Sequence, residues 1–255
     1  MPSLSVVLAT YNEEKNLPDC LKSVRGITDE IVVVDGGSKD KTVDVAKKYG
    51  ARVIITTNPS IFHINKQKAI DIATKDWILQ LDGDERVTPE LKKEILDVLD
   101  KKPETNGYWM PRKNWFLGRF LMKGGQYPDY TLRLYRKGKG RLPQMSVHEQ
   151  AIVEGNVEYL KNPLLHIAYP SFSGYLTRLD RYTNLIASEL RVNKVGYSPI
   201  ISVKYMLFLP LWWFFLTYFR HKGFMDSWQG LIFSFFSALR FPIAYIKFIK
   251  KINEN

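Results

Sequence analysis

The stretch Trp77-Ile78-Leu79-Gln80-Leu81-Asp82-Gly83-Asp84-Glu85-Arg86 holds the residues best spaced to do chemistry. It begins as a short apolar run, as expected of a strand buried on both faces, and ends abruptly in carboxylates. Two aspartates at a strand tip, one glycine apart, present oxygen ligands to a hard divalent cation. Mg²⁺ or Mn²⁺ accepts a few carboxylates together with substrate phosphates. Gly83 keeps the turn narrow enough for a phosphate to approach the backbone. A solvated acidic turn would read the same in isolation, so the neighbouring elements decide.

Those elements form a regular series. Residues 4–10 read as a buried strand that breaks into Tyr11-Asn12-Glu13-Glu14. Asn12 is placed to cap a helix over 15–24, and the two glutamates suit its positive end. A strand over 30–34 runs into Asp35-Gly36-Gly37-Ser38-Lys39-Asp40, a polar turn before a helix over 42–49. A strand over 51–56 and a helix over 64–74 then lead to the strand ending at Asp82. This alternation predicts an α/β fold with a parallel sheet and helices on both faces. Ligands of such sheets collect at the carboxyl ends of the strands, where Tyr11, Asp35 and the Asp82/Asp84 pair all fall.

Thr10-Tyr11-Asn12-Glu13-Glu14, Asp35-Gly36-Gly37-Ser38-Lys39-Asp40-Lys41-Thr42 and Leu81-Asp82-Gly83-Asp84-Glu85, in that order, resemble the signature series of the family 2 glycosyltransferases of GT-A fold. Trp115-Phe116-Leu117-Gly118-Arg119, Gly124-Gly125-Gln126-Tyr127-Pro128-Asp129, Leu132-Arg133-Leu134-Tyr135 and Val147-His148-Glu149 are similar to the branch that includes lipopolysaccharide-core β-glucosyltransferases. The resemblance implies a nucleotide-diphosphate sugar donor, a divalent metal and inversion at the anomeric carbon. On it, Thr10, Tyr11 and Glu13 line the nucleotide pocket, and Asp35 accepts from a uracil-type N–H or caps its own turn. The register usually held by an Arg-Asn pair is Lys66-Gln67 here, which makes Lys66 the candidate phosphate contact, as a point charge rather than a fork. Asp82 and Gly83 face the ribose or the outer shell of the metal. Asp84 ligates it.

From Gly107 to Glu154 the pattern changes to short strands, glycines and aromatics, after an amphipathic helix over 90–99 that starts at Thr88-Pro89. Trp109, Trp115, Phe116 and Tyr127 serve either as core or as a sugar platform. An inverting transfer needs a base for the acceptor hydroxyl. Glu149 is the favoured base, with His148 as metal ligand or orienting partner. Asp129 is the other candidate, or contacts the acceptor, or holds Arg133. His166 is an alternative metal ligand, and the expected catalytic domain is 1–168, divided into a nucleotide-sugar half (1–100) and an acceptor half (101–168).

The chain has 255 residues, a net charge of +11 and one cysteine. Cys20 alone forms no intrachain disulfide and suits a reducing compartment. No basic and apolar leader opens the sequence, so no signal peptide is expected. The charge calls for an anionic partner, and no nucleic-acid-binding signature is present. Residues 169–255 account for much of it: the apolar runs 206–216, interrupted by Pro210, and 231–246 are flanked by cations. The first falls short of the ~20 residues of a spanning helix. Such stripes suit helices on an anionic membrane surface, core helices, or a re-entrant hairpin. The expected protein is a metal-dependent transferase on the inner face of the cell membrane. It would move a hexose from a UDP-type sugar to a lipid-linked or envelope glycan. A polyprenyl-phosphate sugar synthase and a non-catalytic nucleotide-sugar-binding module are the alternatives.

Overall fold

Leu4–Thr10 (β1) is buried along almost its whole length because it lies in the middle of a parallel sheet. The computed structural model describes residues 3–59, 61–101, 104–143, 150–193 and 195–253. They fall into two compact units, Met1–Arg112 with Asp129–His166, and Lys113–Pro128 with Ile167–Asn255. Lys113–Pro128 thus groups with the C-terminal helices, which differs from a single cut at residue 168.

In the first unit the chain runs through α1 (Leu17–Ser23), β2 (Glu30–Asp35), α2 (Thr42–Lys48), β3 (Arg52–Ile55), α3 (His63–Ile72), β4 (Trp77–Leu81), β5 (Glu85–Val87) and α4 (Pro89–Asp100). β6 (Gly107–Phe116) starts in this unit and ends in the second, to which β7 (Arg119–Phe120) belongs; β8 (Asp129–Arg136), β9 (Gly140–Arg141), β10 (Ile152–Val153) and β11 (Val157–Tyr159) return to the first, and β12 (Leu164–Tyr169) starts there. The sheet order is β3-β2-β1-β4-β8-β6-β12-β5. The first four strands are parallel, and β8 lies antiparallel to both β4 and β6.

Each sheet face has its own core. Leu17, Cys20 and Leu21 of α1 and Leu91, Ile95 and Leu99 of α4 pack with Val6, Leu8, Leu79 and Leu81 of the sheet on one face. Ala69 and Ile70 of α3 pack with Val7, Val32 and Ile78 on the other. Alternate residues of β1 and β4 serve opposite faces, as the two-residue strand period requires. Thr88 caps α4 as its sequence predicts, its Oγ1 accepting from the Leu91 N–H with Pro89 in the first turn.

The expected Asn12 cap is not formed. Asn12 sits at φ 55° and its Oδ1 accepts from the Lys39 N–H, so it ties two loops together instead of starting α1. Left-handed backbone is a conformation that asparagine tolerates better than most residues.

The second unit contains α5 (Phe172–Val192), α6 (Pro199–Arg220) and α7 (Ser227–Asn253). Pro210 interrupts the apolar run 206–216 in the sequence but not the helix, which is longer than that run. The helix continues through it for 22 residues, with π turns at Lys204–Phe208 and Phe215–Arg220.

Candidate active site

The register of the parallel ladder brings the expected site residues together. Thr10 of β1 pairs with Asp35 of β2, and Leu8 of β1 pairs with Leu81 of β4. Tyr11, the turn after Asp35 and the Asp82-Gly83-Asp84 turn therefore leave the same edge of the sheet. The first two are fastened to one another. The Asn12 N–H donates to Ser38 Oγ (2.8 Å), the Glu13 N–H to Thr42 Oγ1 (2.7 Å) and the Glu14 N–H to Asp40 Oδ2 (3.1 Å). Tyr11 stands exposed on this rim.

Asp35 is fully committed to the rim. It is buried, with Oδ1 accepting from the N–H groups of Gly37 and Ser38. Its Oδ2 accepts from Thr10 Oγ1 and Ser38 Oγ. A carboxylate has about four acceptor sites, and these bonds use them. Of the two expected roles, these bonds are those of the turn cap: Asp35 holds the turn. Thr10, as its partner, is buried with it.

The Asp82-Gly83-Asp84 turn is held from below. Asp82 Oδ1 is paired with Lys66 Nζ, and Oδ2 accepts from an Arg133 guanidinium nitrogen at 2.8 Å. Burial alone would raise the Asp82 carboxyl, but Lys66, Arg133 and Arg112 outweigh it and hold the group far below the usual carboxylate range. Burial pushes the Lys66 ammonium down against the pull of Asp82. Both oxygens of Asp82 are taken by cations, so in this structure it anchors the turn, while its expected place at the ribose or the outer shell of the metal stays an expectation. The expected phosphate contact of Lys66 likewise competes with this pair.

Glu85, fully buried, completes the clamp. Its Oε2 accepts from the Asp82 N–H (2.9 Å), while Oε1 accepts from Arg133 (2.8 Å) and Arg112 (3.2 Å). Arg112 also donates twice to Asp129 Oδ2, at 3.0 and 2.8 Å. Asp129 thus holds Arg112, while Arg133, its expected partner, is held by Asp82 and Glu85. Arg112 is a cation of the site that the sequence reading passed over, and Arg133 was expected only as a partner of Asp129. Their signal was a charge inside an otherwise apolar strand, as in Leu132-Arg133-Leu134, where a buried position demands a partner.

Gly83 is approached by protein. A Cβ built there would lie 3.2 Å from Glu13 Cγ, so the space expected to admit a phosphate is lined by the Glu13 side chain. Glu13 Oε2 in turn accepts from the Asn16 side chain.

Asp84 points elsewhere than Asp82. Its Oδ2 lies 3.4 Å from His166 Nε2, both side chains being mostly buried. The antiparallel pairing of β12 with β5 sets His166 opposite Glu85, next to Asp84. The carboxylate oxygen suits Mg²⁺ or Mn²⁺ and the imidazole nitrogen suits a softer ion than Mg²⁺, so the pair fits Mn²⁺ better than Mg²⁺. Among the described residues no group of three or more potential ligands converges. His148 and Glu149, the expected ligand and base, lie outside the described residues, together with Val147. Of the expected aromatic platform, Trp109 stacks with Tyr159 at 6.2 Å between ring centres, and Phe116 is core of the second unit.

The sequence pattern of Glycosyl transferase family 2 matches residues 5–181. The chain belongs to this family. Among relatives, an uncharacterized glycosyltransferase of Rickettsia typhi, RT0209, is 27% identical over 252 residues, covering 94% of this chain and 86% of that protein. The lipopolysaccharide core biosynthesis glycosyltransferase LpsC of Rhizobium meliloti is 27% identical over 250 residues, covering 93% of this chain and 91% of its own. Among solved structures, the mannosyltransferase PcManGT from Pyrobaculum calidifontis, in complex with GDP-Man and Mn²⁺, aligns with a TM-score of 0.58 at 12% identity, over 97% of this chain and 87% of that one. TarS 1–349 of S. aureus aligns with a TM-score of 0.50 at 16% identity, over 97% and 88%. These likenesses show the fold: this glycosyltransferase is a GT-A protein, as its motifs imply.

Proposed function

We propose that this glycosyltransferase is a metal-dependent, inverting hexosyltransferase that uses a nucleotide-diphosphate sugar, most simply a UDP-sugar, and a lipid-linked or envelope glycan acceptor. The single observation that carries the reading is the division of labour in the Asp82-Gly83-Asp84 turn. Asp82 is bound by Lys66 and Arg133, whereas Asp84 faces His166. Asp84 and His166 would hold the cation, with substrate phosphate oxygens and water completing its shell. A bound Mg²⁺ or Mn²⁺ supplies charge neutralisation for the departing nucleoside diphosphate. The chain's own part is positional. Tyr11 offers an aromatic face on the rim for a pyrimidine, and the Asp35 turn fixes that rim.

The acceptor class is supported by the family branch, with LpsC-like relatives, and by the apolar C-terminal helices. Glu149 is the proposed base, with His148 beside it. The enzyme would work at the inner face of the cell membrane, and no nucleic acid is needed to account for its charge.

Thermal-shift screening of nucleotide sugars with and without Mn²⁺ tests the reading, since a ligand of the folded state raises stability by about 2.7 kcal/mol at roughly a hundredfold excess over Kd. UDP-sugars should raise Tm more in the presence of Mn²⁺, and Asp84→Ala should erase that increment while the protein remains folded. An increment unchanged in Asp84→Ala would remove Asp84 from the metal site. Turnover by Glu149→Gln on an extracted lipid phosphate would favour the polyprenyl-phosphate synthase instead.

A further inference from the structure

The second unit exposes a continuous apolar surface. Leu207, Leu211 and Phe215 follow one another along the outer side of α6 at helical spacing, each more than half exposed. At the turn between α6 and α7, Phe224, Met225 and Trp228 are 50%, 54% and 52% exposed. Side chains of this size are normally buried, and a patch of this extent needs a partner. Its collar is basic: Arg220, His221 and Lys222 are exposed at the turn, and Lys204 and Lys250 lie towards the other end. Apolar residues rimmed by cations complement a bilayer with anionic headgroups.

Both helices are long and apolar enough to cross a membrane by length and composition. Their packing argues against crossing. The inner side of α6 is joined to α7, where Trp213 Nε1 donates to Ser237 Oγ at 3.2 Å. The opposite flank of α7 is covered by α5, with Ala187 and Leu190 packed on Tyr245 and Phe248 and Lys247 paired to Asp180 at 2.6 Å. On its far side α5 exposes Arg178, Arg181, Glu189 and Arg191. An α7 that spanned the hydrocarbon would take this charged helix with it, and charged side chains in the bilayer centre are strongly disfavoured. A hairpin lying in the interface plane keeps α5 in water and still buries the outer side of α6.

We infer that the α6–α7 hairpin is a monotopic docking surface for an anionic phospholipid bilayer, lying in its interface plane with the 220–228 turn among the headgroups. The turn also carries part of the acceptor-side sequence. Asp226, buried, accepts through Oδ2 from the N–H groups of Met122 (2.9 Å) and Lys123 (2.7 Å), and the Gly124 N–H donates to the His221 carbonyl (2.9 Å). Gly223 and Gly230 let the turn close on itself, since a Cβ on Gly230 would collide with the Gly223 carbonyl. The segment around 119–124 is thereby held at headgroup level, where a lipid-linked acceptor presents its hydroxyl. That use rests on the acceptor class proposed above; the docking does not.

The full-length protein is mixed with phosphatidylcholine vesicles made with or without phosphatidylglycerol and sedimented. It should bind the anionic vesicles at least tenfold more strongly, and lose that preference in high salt. The double variant Phe224→Ser/Trp228→Ser should bind about tenfold more weakly while its UDP-dependent Tm shift is unchanged. Equal binding to neutral vesicles, no binding to either, or full binding by the double variant would overturn the proposal. Topology is read by an impermeant maleimide on vesicle-bound His221→Cys and, separately, Lys47→Cys. In-plane docking labels both from the same side. Labelling of one with protection of the other would establish a spanning hairpin and overturn the in-plane arrangement. Failure of the UDP shift with docking intact would count against the proposed reaction alone.

Discussion

Glu85 should be the most costly single side chain to remove from the site. Its carboxylate is fully buried and accepts from Arg133, Arg112 and the Asp82 N–H. Removing one partner of a buried ion pair costs roughly 3–5 kcal/mol. In Glu85→Ala each guanidinium keeps one carboxylate, Asp82 for Arg133 and Asp129 for Arg112, so the lower end applies, about 3 kcal/mol. Leaving the Asp82 N–H without an acceptor adds about 1 kcal/mol. The sum is about 4 kcal/mol. With a urea m-value of about 2.5 kcal/mol/M, the midpoint of the first unit's transition should fall by about 1.6 M. Glu85→Gln retains acceptor oxygen without charge and should lose about half as much, roughly 0.8 M. Hydrogen exchange of the β4 amides during the titration would report this unit rather than the helical one. A Glu85→Ala midpoint within about 0.4 M of the parent, equivalent to about 1 kcal/mol, would refute the clamp.

Thr88→Ala removes the side-chain acceptor for the Leu91 N–H and should destabilise α4 by about 1 kcal/mol in the same titration; no change would show the cap to be dispensable. Cys20 is buried and burial pushes its thiol up, so iodoacetamide at about pH 8 should leave it unmodified in the native protein and alkylate it in denaturant. Rapid native alkylation would contradict that burial. Asp82 has its folded value held below its unfolded one, so the stability it provides is present above about pH 4 and lost as the pH falls towards the folded value. A Tm series from about pH 5 to 2 should therefore fall more steeply for the parent than for Asp82→Asn, and parallel curves would show that the cations do not act on this carboxyl.

The sheet was legible because its strands are uniform. Leu4–Thr10, Glu30–Asp35 and Trp77–Leu81 are short apolar runs closed by polar turns, and each became a parallel strand of the first unit. The convergence of their carboxyl ends follows from that alone. What sequence could not show is where each carboxylate directs its charge. Asp35 faces four donors and Asp82 two cations, and the second of those cations, Arg133, arrives on β8, 51 residues downstream. Such pairing depends on the antiparallel register of β4 with β8, which no local pattern encodes. The length of α6 was hidden for a related reason. A proline within a helix costs one hydrogen bond and a local clash, and α6 absorbs both in flanking π turns.

The two aspartates of the Asp82-Gly83-Asp84 turn sit in two different environments. Below the turn, the carboxylates of Asp82, Glu85 and Asp129 are matched by Lys66, Arg133 and Arg112, a cluster of three negative and three positive charges. A charge-balanced cluster of this kind attracts a divalent ion weakly, because a ligand taken from it would leave one of its cations unpaired. Asp84, one glycine further on, turns out of that cluster to His166, a residue type that coordinates metals through a ring nitrogen. Exchanging the two environments should therefore exchange the roles. If Lys66→Met and Arg133→Met together turned Asp82 into a second Mn²⁺ ligand, Mn²⁺ would protect the folded double variant against heat more than it protects the parent. If the double variant folds and Mn²⁺ protects it no more than the parent, something other than its cationic partners excludes Asp82 from the metal.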